Sequence, residues 1–140
     1  MSEILTRVIL AGMIGGAAAI LGGFDGLLQT LVILMAIDLI TGILSAWKNQ
    51  SLNARKGWFL TAKKLVTMLL IVMATKLDQT AGTGAALRSS SLLYFIANEG
   101  LSVLENAQAI GLKIPEQIRA FIEKTGSNKG GNYDDNNDKQ

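Results

Sequence analysis

No charged residue occurs from Val8 to Phe24 (VILAGMIGGAAAILGGF), and only one, Asp38, occurs from Gly26 to Trp47. An apolar run of about 20 residues matches a hydrocarbon core of roughly 30 Å when it is helical. In lipid the backbone must satisfy its own hydrogen bonds, and a single run does so only as a helix. Ile4, Leu5 and a snorkelling Arg7 extend the first run to that length. A third run, Leu65 to Thr75, lies between Lys63-Lys64 and the pair Lys76 and Asp78. It is short for a crossing unless the two lysines snorkel. These runs predict an all-α, polytopic helical membrane protein with three clear transmembrane helices.

A fourth segment, Leu92 to Ile110, is apolar but carries Asn98, Glu99, Ser102, Glu105, Asn106 and Gln108. At helical spacing Ser91, Asn98, Ser102 and Glu105 share one stripe, with Leu93, Ile96, Leu101 and Leu104 largely elsewhere. This amphipathic fourth helix fits either a span facing a wet interior or a helix lying in the interface; the span is the expectation. Gly111 is a stop, and Pro115 suits a helix start, with Glu116 at its positive end and Lys124 at its negative end. Ile114, Ile118, Phe121 and Ile122 form an apolar stripe, predicting a short amphipathic helix on the inner membrane face. The expected organisation is a transmembrane helical domain over 1–112, a short cytoplasmic helix over 113–125, and a disordered polar tail over 126–140, too poor in apolar residues to fold.

Basic residues orient the chain. Lys48, Arg55, Lys56, Lys63 and Lys64 lie between the second and third spans with no acid among them, which marks a cytoplasmic, membrane-interface segment. Trp47, Trp58 and Phe59 sit beside them as an aromatic belt would. Asp25 then lies in a tight outer hairpin, residues 79–87 form a second outer loop, and both termini are cytoplasmic. Lys76 and Asp78 read as boundary residues. Arg7, the apolar run and Ala17-Ala18-Ala19 imitate a secretory signal, but the run continues through Ile20-Leu21 and more spans follow, so an uncleaved first helix is expected.

Histidine and cysteine are absent, and only 17% of residues are charged. That excludes imidazole bases, Cys/His zinc sites, thiol nucleophiles and disulfides. Gly15-Gly16 lies in an apolar helix with no lysine–serine pair after it, so it is no phosphate loop. Ser89-Ser90-Ser91 has no histidine to activate it. No enzyme, cofactor or metal is expected, and no nucleic-acid partner, because basic residues beside a span serve topology or anionic lipid.

Two features remain for function. Small residues four apart (Gly12 and Gly16, Gly15 and Ala19, Ala19 and Gly23) permit close helix contact in lipid, where packing drives association. The sequence leaves open whether the partner is another copy or a neighbouring helix. Asp38 lies near the middle of its span, where a charge costs on the order of 3 kcal/mol or more. Thr41, Gly42, Ser45 and Ala46 continue its small, polar face. Asp38 is either a hydrogen-bonded acid that locks helices together, or a group lining an aqueous path or sensing protonation. A rotor-type ion-translocating subunit would pair a glycine-rich helix with such a carboxylate, although the extra segments and the basic loop argue against it. A passive membrane anchor is a third reading.

The stretch IDLITGILSAWKN (Ile37 through Asn49), the basic loop with Ser51 and Gly57, then Lys63-Lys64-Leu65 and Leu77-Asp78, resembles Gram-positive phage holins of the toxin-secretion/phage-lysis group. Asn98-Glu99-Gly100-Leu101-Ser102, Glu105-Asn106 and Gly111-Leu112-Lys113-Ile114-Pro115 resemble the C-terminal signature of that group. The blocks cover roughly residues 25–120 in the family's order. Thr61-Ala62 departs from it, since relatives often carry a second glycine before the lysine pair. The resemblance implies a homo-oligomer in the bacterial host's cytoplasmic membrane that opens lesions, releases an endolysin or a toxin, and collapses the membrane potential. By that implication Asp38, Asn98, Glu99, Ser102 and Glu105 are pore-lining or buried polar residues, and Gly12, Gly16, Ala19, Gly23, Gly42 and Ala46 pack helices.

Overall fold

A computed structural model describes residues 1–127. It contains α1 (Ser2–Ile20), α2 (Gly26–Lys48), α3 (Ala54–Ala81), α4 (Ala86–Ile110) and α5 (Glu116–Ser127), with no strand among the described residues. The chain is all-α, and α1, α2 and residues Gly57–Ala81 of α3 are each long and apolar enough to cross a membrane. Large apolar side chains point outward along all three, among them Ile14, Ile33, Ile40, Leu65 and Leu69. Water would penalise such a surface, whereas lipid does not. This is a membrane protein.

Helices α2, α3 and α4 form the packed body. Leu28, Leu31 and Met35 of α2, Ile71 of α3 and Leu92 of α4 make its core. Asp25 lies beside Arg88 at one end, and the Lys48 ammonium reaches the Ile110 carbonyl at the other. Helices α2 and α4 therefore run parallel, with α3 antiparallel to both. Asp25 caps α2 by accepting from the Leu28 N–H at 3.0 Å, and Asn53 caps α3 by accepting from the Arg55 N–H at 2.9 Å. Both caps satisfy first-turn donors that the helix itself cannot. None of the residues of α1 is buried.

Several expected boundaries are corrected. The third span is not Leu65 to Thr75 but part of a 28-residue helix, with Lys63, Lys64, Lys76 and Asp78 inside it. Apolar windows stop at charges, but a helix continues through charges that find partners. The outer loop shrinks from 79–87 to the four residues between α3 and α4. The first helix ends at Ile20, so Gly23 lies in the α1–α2 turn with φ +103° rather than on a helix face. Helix α5 runs through Ser127, two residues into the expected tail, and the rest of that tail lies outside the described residues.

Helix α5 folds back along α4. Ile122 lies over Gly100, Gly126 lies against Ala97, and the Arg119 guanidinium donates to the Gln108 amide oxygen at 2.8 Å. Phe121 and Ile118 stay exposed.

Candidate functional site

Three helices place three charges together. The Lys64 ammonium on α3 donates to Asp38 Oδ2 on α2 at 2.8 Å and to Glu99 Oε2 on α4 at 2.5 Å. Asn106, further along α4, donates through Nδ2 to Asp38 Oδ1 at 3.0 Å and to Thr41 Oγ1 at 3.2 Å. Asp38 and Glu99 can both meet one lysine because α2 and α4 are parallel neighbours and α3 packs against α4 beside them. At 1.5 Å per residue the cluster sits about 20 Å along α2 from Asp25, well inside a core of roughly 30 Å. The side chains of Lys64, Asp38 and Glu99 retain 18%, 14% and 15% exposure. Charges so placed persist in lipid only when paired. Two acids share one base, so the triad carries a formal charge of −1.

Beside the triad lies a cleft of about 590 Å³ between α3 and α4, lined by Asp38, Asn98, Glu99, Ser102 and Glu105 together with Lys63 and Lys64. All five residues singled out from the sequence as buried polar or pore-lining thus share one surface. The basic residues separate. Lys64, expected at the membrane interface, is the central cation of the triad, because its ammonium reaches two carboxylates that no water-facing position would offer. Lys63 stands over the Phe59 ring, 5.6 Å from its centroid. Lys48 holds the last carbonyl of α4, and Arg55 and Lys56 lie in the first turn of α3. Among the small residues, Gly42 faces Asn106, 3.5 Å from where its Cβ would stand, and Ala46 is half-buried on the same helix. A Cβ at Gly12 or Gly16 would meet nothing within 4 Å, and Ala19 is exposed.

A second polar cluster, at the opposite end of the body, escaped the sequence reading. Arg88 is 4% exposed. Its Nε donates to the Leu21 carbonyl at 2.6 Å, Nη2 to the Gly23 carbonyl at 2.8 Å, and Nη1 to Asp25 Oδ2 at 2.6 Å. Gly22 has φ +83°, and a Cβ there would lie 2.6 Å from Arg88 Nε, so only glycine lets the turn close on the guanidinium. Asp78 is no bystander at a boundary. Its carboxylate accepts the Leu87 N–H at 3.0 Å and the Arg88 N–H at 2.7 Å, and Thr83 donates to it as well. It caps α4 from α3 because Ala85, at φ 68°, has no side chain able to do so. The available signal was charge sign: a lone arginine in a segment expected outside runs against the positive-inside bias.

The Arg88 guanidinium holds the Asp25 carboxyl below the ordinary carboxylate range, chiefly through their hydrogen bond. A carboxylate depressed by folding stabilises the fold above its unfolded pKa, and that contribution is lost as pH falls through the lower, folded value. Thermal melts in detergent from about pH 6 to about pH 2 should therefore show an acid limb that Asp25→Asn flattens. An unchanged limb would mean that other carboxylates carry it.

The profile of the bacteriophage holin family matches residues 15–126, which include both polar clusters. A probable holin of Bacillus phage phi105 is 38% identical over 102 residues, covering 73% of this chain and 76% of that protein. An uncharacterised Listeria monocytogenes protein is 32% identical over 120 residues, 83% of this chain and 86% of the relative. An uncharacterised 14.9 kDa protein encoded in the nagH 3' region of Clostridium perfringens is 31% identical over 111 residues, 79% of this chain and 84% of the relative. No solved structure matches the chain. With three apolar spans, a charge triad at bilayer depth and a family match that runs from α1 into α5, the chain belongs to the bacteriophage holin family.

Proposed function

We infer that the protein assembles with copies of itself in the host's cytoplasmic membrane and opens lesions there, both termini facing the cytoplasm. Such lesions release a partner endolysin, or a secreted toxin in a host-adopted role, and collapse the membrane potential. The observation that carries this reading is the Asp38–Lys64–Glu99 triad beside its polar cleft at membrane depth. In a closed bundle both carboxylates are held by the one Lys64 ammonium. In an opened assembly the same side chains, with Asn98, Ser102 and Glu105, offer water a polar wall. The work is physical: packing and rewetting, with no bond made or broken.

An ion-translocating subunit needs a carboxylate free to exchange its ion, and here Lys64 and Asn106 occupy Asp38. The deciding experiment induces the chain in a bacterial host with and without a co-expressed murein hydrolase, following turbidity and a potential-sensitive dye. Abrupt depolarisation after a delay, with lysis only when both proteins are present, is expected. Steady growth with an intact potential would overturn the reading and favour a passive anchor.

A further inference from the structure

We propose that α5 is a removable strap over the assembly face of α4, and that α1 of a second copy takes that face when α5 withdraws. The proposal rests on the lesion-forming reading above, and its test reads assembly separately from leakage.

Two observations on different helices meet here. On α4, Ala97 and Gly100 form a small-residue seat already occupied by α5: a Cβ on Gly100 would stand 3.2 Å from Ile122, and one on Gly126 would stand 2.7 Å from Ala97. A contact this close is a helix-docking geometry. Its occupant is poorly matched to lipid, since α5 carries Glu116, Arg119, Glu123 and Lys124 within 12 residues. Membrane depth penalises those charges, while cytoplasmic water welcomes them. The strap is packed closely at Ile122 and Gly126, but its polar tie to α4 among the described residues is one Arg119–Gln108 hydrogen bond.

The second observation is α1, a 19-residue apolar helix with no residue buried against the rest of the described residues. Its Gly12 and Gly16 leave the backbone bare, with nothing within 4 Å. Depth agrees as well. Gly22 touches Arg88, which sets a common level for α1 and α4. Counting down at 1.5 Å per residue puts Gly12 about 15 Å below that level, between Ala97 at about 13 Å and Gly100 at about 18 Å. A second copy with the same topology therefore presents Gly12 at the height of the seat, on a helix without charge from Val8 onward that suits lipid better than α5. The strap then sets a threshold: a copy is competent for assembly only in the fraction of time its seat is open, and apparent affinity scales with that fraction.

The chain has no native cysteine, so introduced ones are unique. Full-length Gly100→Cys/Ile122→Cys, oxidised to lock the strap, is reconstituted in phosphatidylglycerol-containing vesicles and compared with its reduced form. Locking should suppress assembly, read by amine crosslinking, roughly tenfold or more, as expected if most seats must open first, and reductant should restore it. In a second arm, one tagged population carries Gly12→Cys and another carries Gly100→Cys. Adding Ile122→Asp to the latter, which loosens the strap without touching the seat, should raise Gly12–Gly100 crosslinking between copies by a similar factor. Equal assembly of locked and reduced protein overturns the strap. Crosslinks that form only between Gly12 positions overturn α1 as the occupant of the seat. Strap-dependent assembly without dye release leaves this proposal standing and removes the lesion reading instead.

Discussion

Lys64→Met should lower the stability of the bundle by about 3 kcal/mol, the lower end of the range for breaking a buried ion pair, because the groups keep slight exposure. The loss comes less from the missing attraction than from what remains: Asp38 and Glu99, both carboxylates and both at membrane depth, stripped of their shared cation. Denaturation of the detergent-solubilised protein by a strong detergent titration measures the effect. Asp38→Asn/Lys64→Met/Glu99→Gln together should recover most of it, since removing every charge also removes the desolvation penalty. A triple variant no more stable than Lys64→Met would mean that the triad does not bind the helices as described. On the lesion-forming reading, Asp38→Asn and Glu99→Gln should each also shift lysis timing. Unchanged timing and dye leakage in both would separate the triad's structural role from any part in opening.

Arg88→Ala should cost about as much, again near 3 kcal/mol, by a different route. Here one buried guanidinium serves two backbone carbonyls and a carboxylate; its removal takes the side-chain donor from the Gly23 oxygen and leaves Leu21 O only the long Thr75 contact and Asp25 only the Leu28 N–H. The effect should be local before it is global. Hydrogen exchange at the amides of residues 21–25 should accelerate while the core around Leu31 and Ile71 stays protected, because α1 has no other firm attachment. Arg88→Lys should rescue little, since one compact ammonium cannot reproduce a planar fork reaching three acceptors. Full protection of the turn in Arg88→Lys would show that charge alone, not geometry, holds it.

Much of the architecture is written locally. The long apolar runs, with Asp38 alone charged between Gly26 and Trp47, determine that α1 and α2 are membrane helices, and Asp25 and Gly111 mark helix ends because capping depends on neighbours within a turn. The polar stripe of α4 is legible for the same reason, as helical periodicity alone brings Asn98, Ser102 and Glu105 to one face. The sequence likewise determines that no imidazole or thiol chemistry is available.

What the tertiary structure alone decides is which charges meet. Lys64 lies 26 residues from Asp38 and 35 from Glu99, and Arg88 lies 63 from Asp25. Over such separations no local rule applies, and positive-inside statistics sent Lys64 to the interface. The parallel packing of α2 against α4 overrides them: it places Asp38 and Glu99 where one lysine from α3 must pair with both, because two carboxylates in lipid cannot stay unpaired. The same packing decides that α1 stands apart while α5, the most polar helix, occupies α4's small-residue face. Hydropathy reports a residue's preference for lipid or water, whereas ion pairing and close packing depend on its neighbours in space.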